Sequence, residues 1–508
     1  MKKYNLFGSS LNYLSKVLLL VFTIFWIYVS SSRLFTFEYS FKSVAVVFIF
    51  LLLILWSKSR EVLIKFGIFL INNKIIIMLA MIIFQVLVVI SSNLMIRSDA
   101  AYLWNSAIKV NPQDKIIKYL TLNPNNLSLF VYERNLFNIF GDKSIWIAHI
   151  LSMIYVDSAI VILYLLIKKF YSQKSANIAF VLFCLILGFS PQFMTVYNDQ
   201  MSVAIAAIQL CLIAWIFKDY NNFLPYILLG LFTGLTTNIR ITILILVIAF
   251  VLVYLGLKNN QKFLSKSFRV GLLIITLLVS NLVMTGIASR QAGFDLEKGQ
   301  GKSLLWFFDL GLTYNGGDQL DLLTGLNEEA RTLGKPITNQ EVIKKDITRR
   351  IKAYTPKTML GHLKVKTKGT LDSGDLGWVY ANPDQEIDKY YNPLYDKIKD
   401  NKILSKFSKT FVYMNNKEYK EYAIYLQMVW IVIACGFFAS LFIGKVDYLL
   451  LTSQVAVLGG LVFLTFFEGG KARYMIQFLP QIILAVALGI DNISAIFQIN
   501  QSRRNKRQ

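Results

Sequence analysis

The sequence predicts an all-α protein that crosses a membrane about twelve times, and three observations carry that prediction. Only 16% of the 508 residues are charged while 55% are hydrophobic, where a soluble domain carries about a quarter charged. The mean hydropathy is +0.51. The apolar residues gather into runs of about 20, the length that spans a hydrocarbon core.

The chain opens on a basic stretch, Met1 to Lys16, that leads into an apolar run through Val29. This run is too long for a signal-peptide core and lacks a small-residue cleavage site, so it reads as the first membrane helix. Further spans are centred near Phe50 and Met81, completing an N-terminal membrane segment over 1–96. Residues 97–144 form a long polar loop with surface helices. Spans near Tyr155, Cys184, Leu210, Leu229, Leu246 and Ile275 fill 145–289. Residues 290–421 alternate apolar and polar positions at helical spacing between Glu328 and Leu363, punctuated by Pro336, Pro356, Pro383 and Pro393. That pattern predicts a small, mainly helical domain. Spans near Ile433, Val457 and Ile483 fill 422–496, and a basic tail closes the chain over 497–508.

Loop charge sets the orientation. Lys2, Lys3, Lys16, Lys58, Arg60, Lys65, Lys74, Lys168, Lys169, Lys174, Lys258, Lys262, Lys266, Arg269 and the tail arginines share one side, with few acids among them. The positive-inside rule makes that side cytoplasmic, with both termini inside. The 97–144 loop and the 290–421 domain then face outward across the cell membrane. The net charge of +23 falls largely in these short loops and tails, so it reports orientation and anionic membrane lipid, and the chain reads as binding no nucleic acid. Cys184, Cys211 and Cys435 lie inside apolar runs with no metal or disulfide spacing. Asp157 falls in mid-span and reads as structural, either protonated or bonded to a neighbouring helix.

Several polar residues sit where the outward loops meet the spans. Asp99 follows the third span in Arg97-Ser98-Asp99-Ala100-Ala101-Tyr102. An acid there can accept a proton or hold a metal; the plainer reading is a helix-starting acid. Asn123-Pro124-Asn125-Asn126 is a turn and helix-start signal, followed by an amphipathic run to Phe140-Gly141. Arg240, Lys471 and Arg473 fall at outer helix ends, where a guanidinium fork suits phosphate oxygens and headgroup anchoring is the competing use.

Together these features resemble the C-type (GT-C) integral-membrane glycosyltransferases, which include the protein O-mannosyltransferases and the aminoarabinose lipid A transferases. The acid after an early span, the Pro/Asn turn, the surface helix and the Phe-Gly close resemble their first external loop. Gram-positive members are most similar and carry Tyr-Pro-Asn-Asn where this chain has Asn123. Tyr197-Asn198-Asp199 resembles a Tyr-x-Asp that opens one of their spans. Gly234-Leu235 through Arg240 resembles their Gly-Leu-x-x-x-x-Lys turn. Glu468 through Arg473-Tyr474, followed by Pro480, resembles the turn before their last span, and Phe308-Asp309 through Gly317 echoes the external domain of the Gram-positive group. The match runs from Met95 to Pro480. Where many members pair two acids, Asp99 has Ala100 and Ala101 beside it, so a divalent cation would need Asp199 as a second ligand.

The resemblance implies transfer of a monosaccharide from a polyprenyl-phosphate donor to a cell-envelope glycan, lipid or protein acceptor. Asp99 would act on the acceptor hydroxyl, and Arg240, Lys471 and Arg473 would hold the donor phosphate. Asn125, Asn126, Tyr197, Asp199, Glu468 and Tyr474 would contact substrate, and Trp306, Phe307, Trp378 and Tyr380 offer an apolar wall. Two competitors are a flippase for a lipid-linked sugar and a non-catalytic scaffold of envelope assembly. The first calls for repeats and midplane polar helices, and the sequence has no repeat.

Overall fold

The computed structural model describes residues 3–36, 41, 45, 48–49, 52–53, 56–92, 99–191, 196–258, 263–377, 395–467 and 469–505. Helices dominate. The N-terminal part holds α1 (Leu6–Leu34), α2 (Ser57–Asn72) and α3 (Lys74–Ser91). The loop after it folds as α4 (Asp99–Ala107), α5 (Gln113–Leu122) and α6 (Leu127–Phe140). The central bundle comprises α7 (Ser144–Phe170), α8 (Gln173–Phe183), α9 (Asn198–Lys218), α10 (Leu224–Thr237), α11 (Leu244–Leu255) and α12 (Phe263–Ala292). An inserted domain follows with α13 (Leu304–Gly311), α14 (Gln319–Leu333), α15 (Gln340–Ala353), α16 (Pro356–Leu371) and α17 (Lys402–Phe411). The chain ends on α18 (Lys417–Ser440), α19 (Tyr448–Phe467) and α20 (Leu479–Asn505).

Eight helices among the described residues are long and apolar enough to cross a membrane. Three more of the expected centres, at Cys184, Leu229 and Leu246, fall on shorter apolar helices, Gln173–Gly188, Leu224–Thr237 and Ile241–Leu255. A helix of 14 residues reaches about 21 Å, less than a full hydrocarbon core. The centre at Phe50 lies outside the described residues. Asp157 receives a hydrogen bond of 2.9 Å from Gln85 on α3, so this mid-span acid is satisfied by a neighbouring helix.

Local chemistry explains the boundaries. Asn5 and Ser172 cap α1 and α8 with their side-chain oxygens. Asp318 caps α14, and Gly334, at φ 62°, ends it in the left-handed region that suits glycine. Thr355 and Thr358 form a reciprocal capping box with Pro356 in the first turn of α16.

Two ends of the bundle are chemically distinct. At one end, strands Lys3–Tyr4 and Leu257–Lys258 pair antiparallel. There Lys16 donates to the Ile443 carbonyl at 3.2 Å and Tyr171 to Asp447 at 2.9 Å. Lys174 meets Asp491 at 3.1 Å. The basic loops thus gather together. Because α9 and α11 each run from the opposite end toward this one, Asn198 and Leu244 start at the far end, as do α4 to α6.

Candidate functional site

The far end is built from five separate stretches of chain. Asp99 is the first residue of α4, where a carboxylate is favoured by the helix N-terminus. Its helix packs against α6 through an apolar core that includes Ala100, Leu103, Leu120, Leu127 and Phe130. Asn123 ends α5, and Pro124 opens a short 3₁₀ turn, Pro124–Asn126, that hands the chain on to α6. This turn folds the end of α5 back toward Asp99.

The result is a directed chain of hydrogen bonds. The Asn126 amide donates to the Tyr119 hydroxyl at 2.8 Å, and Tyr119 in turn bonds to Asp99. With its oxygen already accepting, the phenol offers its own proton to the carboxylate. Burial, and after it the Asp99 charge, push the Tyr119 phenol well above its ordinary value. Tyr119 therefore stays a donor. Asn125 is exposed and donates to its neighbour Asn126 at 3.3 Å.

A cation faces the same carboxylate from the inserted domain's leading loop. The Lys302 amine donates to Asn123 Oδ1 at 2.9 Å and lies 5.6 Å from the Trp306 ring centre. Burial pushes the Lys302 ammonium below its ordinary value, while Asp99 pulls the other way. The loop is pinned to the Pro124 turn by the Lys302 backbone, which donates to Leu122 at 2.9 Å.

The third group surrounds Asp199 in the first turn of α9. Asp199 Oδ1 forms an ion pair with Arg240, and Oδ2 lies 3.9 Å from Arg473 Nε. Arg240 also reaches Asn198 Oδ1 at 3.3 Å. The guanidinium carbons of Arg473 and Arg240 lie 4.8 Å and 5.7 Å from the Tyr474 ring centre. Arg473 lies 6.0 Å from the ring of Tyr197. Tyr197 joins the halves, since its phenol feels Asp99, Arg473, Asp199 and Arg240 together.

The turn carrying Arg473 is held from two sides. Gln477 accepts a hydrogen bond from Thr242, beside Arg240. Gly470 packs so closely on the Lys366 backbone of α16, and Gly369 on Gly470, that a Cβ at either would overlap main-chain atoms. Glycine is required there to let α16 dock.

Asp99, Arg240, Arg473, Tyr197, Asp199, Tyr474 and Asn126 are thus brought to one end of the bundle. Lys471 is exposed at the head of the Arg473 turn. Glu468, Trp378 and Tyr380 lie outside the described residues. Trp306 is 2% exposed and packs in the inserted domain's core with Leu310 and Leu322, and Phe307 packs against that cluster. Two expectations change. Arg240, which has no acid near it in sequence, is neutralised by Asp199 across the fold. Asp199 is accordingly engaged by guanidinium groups, and among the described residues no cluster of three His, Cys, Asp or Glu is placed for a metal. Tyr119 and Lys302 went unnoticed in sequence. Tyr119 sits on an amphipathic helix like any surface tyrosine, and only the Gly299-Gln300-Gly301-Lys302 spacing marks the second.

A bundle of apolar helices with a polar, charged cluster at one end defines an integral membrane protein. The chain belongs to the family described as conserved hypothetical integral membrane protein, whose model matches residues 11–494. No curated protein and no solved structure matches it.

Proposed function

We propose that this protein is a glycosyltransferase of the GT-C type that uses a polyprenyl-phosphate monosaccharide as donor. Its roughly twelve-span body would sit in the cell membrane, with the Asp99 cluster and the inserted domain outside. The observation that carries the reading is one carboxylate, Asp99, beside the Tyr119 hydroxyl and facing Lys302, with Tyr197 linking it to the Arg240 and Arg473 array. The likeness of the loop motifs to the GT-C glycosyltransferases supports it.

In this reading the acceptor hydroxyl gives its proton to Asp99 as its oxygen bonds to the sugar's anomeric carbon. The bond from that carbon to the phosphate oxygen breaks, and the electron pair leaves with the polyprenyl phosphate. Arg240 and Arg473 meet the charge that grows on that phosphate, which is where catalytic stabilisation matters most. Their pairing with Asp199 holds both guanidinium groups in place before the donor arrives and limits the net positive field. The Tyr119 proton keeps the Asp99 carboxylate oriented.

The test is sugar transfer by the purified protein in liposomes holding a panel of polyprenyl-phosphate monosaccharides and extracted envelope acceptors. Transfer from one donor is expected, and Asp99→Asn should lower the turnover by about 10²- to 10⁴-fold, as loss of a general base does. Unchanged turnover in Asp99→Asn removes the base assignment. Absence of transfer from every donor removes the enzyme.

A further inference from the structure

We propose that a cavity beside the Asp99 cluster receives the acceptor as a hydroxyl-rich chain of sugar or polyol units. The acceptor role rests on the glycosyl-transfer reading, whereas binding of such a chain stands on the cavity itself. The cavity measures about 430 Å³, within the range of small-ligand sites. Its walls come from three places: Thr121 and Pro124 at the end of α5, the loop 296–303, and Thr338 and Gln340 of the inserted domain.

The accessible lining is mostly apolar surface set with polar groups, and this mixture selects the ligand. Hydroxyl and amide groups of Thr121, Ser303, Thr338 and Gln340 supply donors and acceptors without a dominant charge, and Glu297 and Lys298 offset one another. Pro124 and Leu296 add apolar patches of the kind that meet a carbon skeleton. The hydroxyl of Ser303 is buried and has no hydrogen-bond partner among the described residues, although it stands at the head of α13 where it would ordinarily cap the helix. A turn of the Ser303 side chain toward the cavity would let a bound hydroxyl pair this group and remove the cost of leaving it unpaired.

Position ties the cavity to Asp99. Gly301 and Ser303, both in the wall, flank Lys302, whose ammonium feels Asp99 and bonds to Asn123. Two residues after Pro124, Asn126 bonds the Tyr119 hydroxyl that meets Asp99. Lys302 and the Asn123 turn thus connect the cavity wall to the carboxylate.

The experiment is saturation-transfer NMR on the full-length protein in nanodiscs, with three soluble probes: maltotetraose, a tetramer of N-acetylglucosamine and a ribitol-phosphate tetramer. Saturable binding of at least one probe is expected. Gln340→Trp and Lys298→Trp fill the cavity from exposed positions and should each weaken that binding at least tenfold, with the melting temperature as a control for folding. Equal binding in both variants overturns the proposal, as does wild-type protein that binds none of the three. Probe binding that is lost in the tryptophan variants while no donor sugar is ever transferred supports the cavity and removes the glycosyl-transfer reading.

Discussion

Tyr119 stands between an amide that donates to it and a carboxylate that accepts from it, so its proton has one direction to go. Tyr119→Phe deletes that donor while keeping the ring against Tyr102, 4.9 Å away. Turnover should fall about tenfold, equivalent to about one hydrogen bond of 1.4 kcal/mol, with the donor KM unchanged; steady-state kinetics check it. Asp199 and Arg240 are coupled more strongly, since their side chains are 5% and 12% exposed. Removing one partner of such a pair leaves an uncompensated charge and costs about 3–5 kcal/mol. Asp199→Ala should cost that much in equilibrium unfolding, and Arg240→Ala less, because Arg473 still faces the Asp199 carboxylate. The double variant should lose clearly less than the sum, which a double-mutant cycle measures.

At the scale of elements, the inserted domain is joined by a charged knot. Arg350 on α15 meets Asp309 of α13 at 3.2 Å, Asp321 of α14 at 2.9 Å and Asp346 of its own helix at 2.8 Å. Asp309 is fully buried; burial first, then the Asp346 charge, push its carboxyl up to about 8 against the pull of Arg350. An unfolded aspartate titrates near about 3.9. The folded protein therefore holds a proton that the unfolded chain has released, and this contribution is full below about pH 4 and lost as pH rises through about 8. Melting temperature should fall across that window, and Asp309→Asn should flatten the fall; parallel slopes in the two proteins count against the assignment. Because α13 also packs against α19, this knot connects the inserted domain to the membrane bundle.

For the whole molecule, the two ends of the bundle should lie on opposite sides of the membrane. The basic loops gather at one end and the Asp99 cluster at the other, the separation that loop charge imposes on insertion. In a background lacking Cys184, Cys211 and Cys435, a cysteine at exposed Leu320 should react in intact cells with a membrane-impermeant maleimide. A cysteine at exposed Lys445 should react only after lysis. The reverse pattern inverts the orientation and moves the proposed chemistry to the cytoplasm.

The membrane class was legible in the sequence, because apolar run length acts directly on the solvent and needs no partner. The helical character of the described parts of 97–144 and 290–421 followed from periodicity and turn residues, which are also local signals. Of the candidate site, the sequence supplied Asp99, Arg240 and Arg473 as separate residues at helix ends. It could not supply their partners, since Asp199 lies 41 positions from Arg240 and Lys302 lies 179 from Asn123. Those pairings arise when helices of fixed length bring distant loops to one end, and no local pattern encodes them. The tertiary structure alone decided that Asp199 neutralises an arginine, that Tyr119 aims its proton at Asp99, and that the loop around Lys302 walls a cavity beside them.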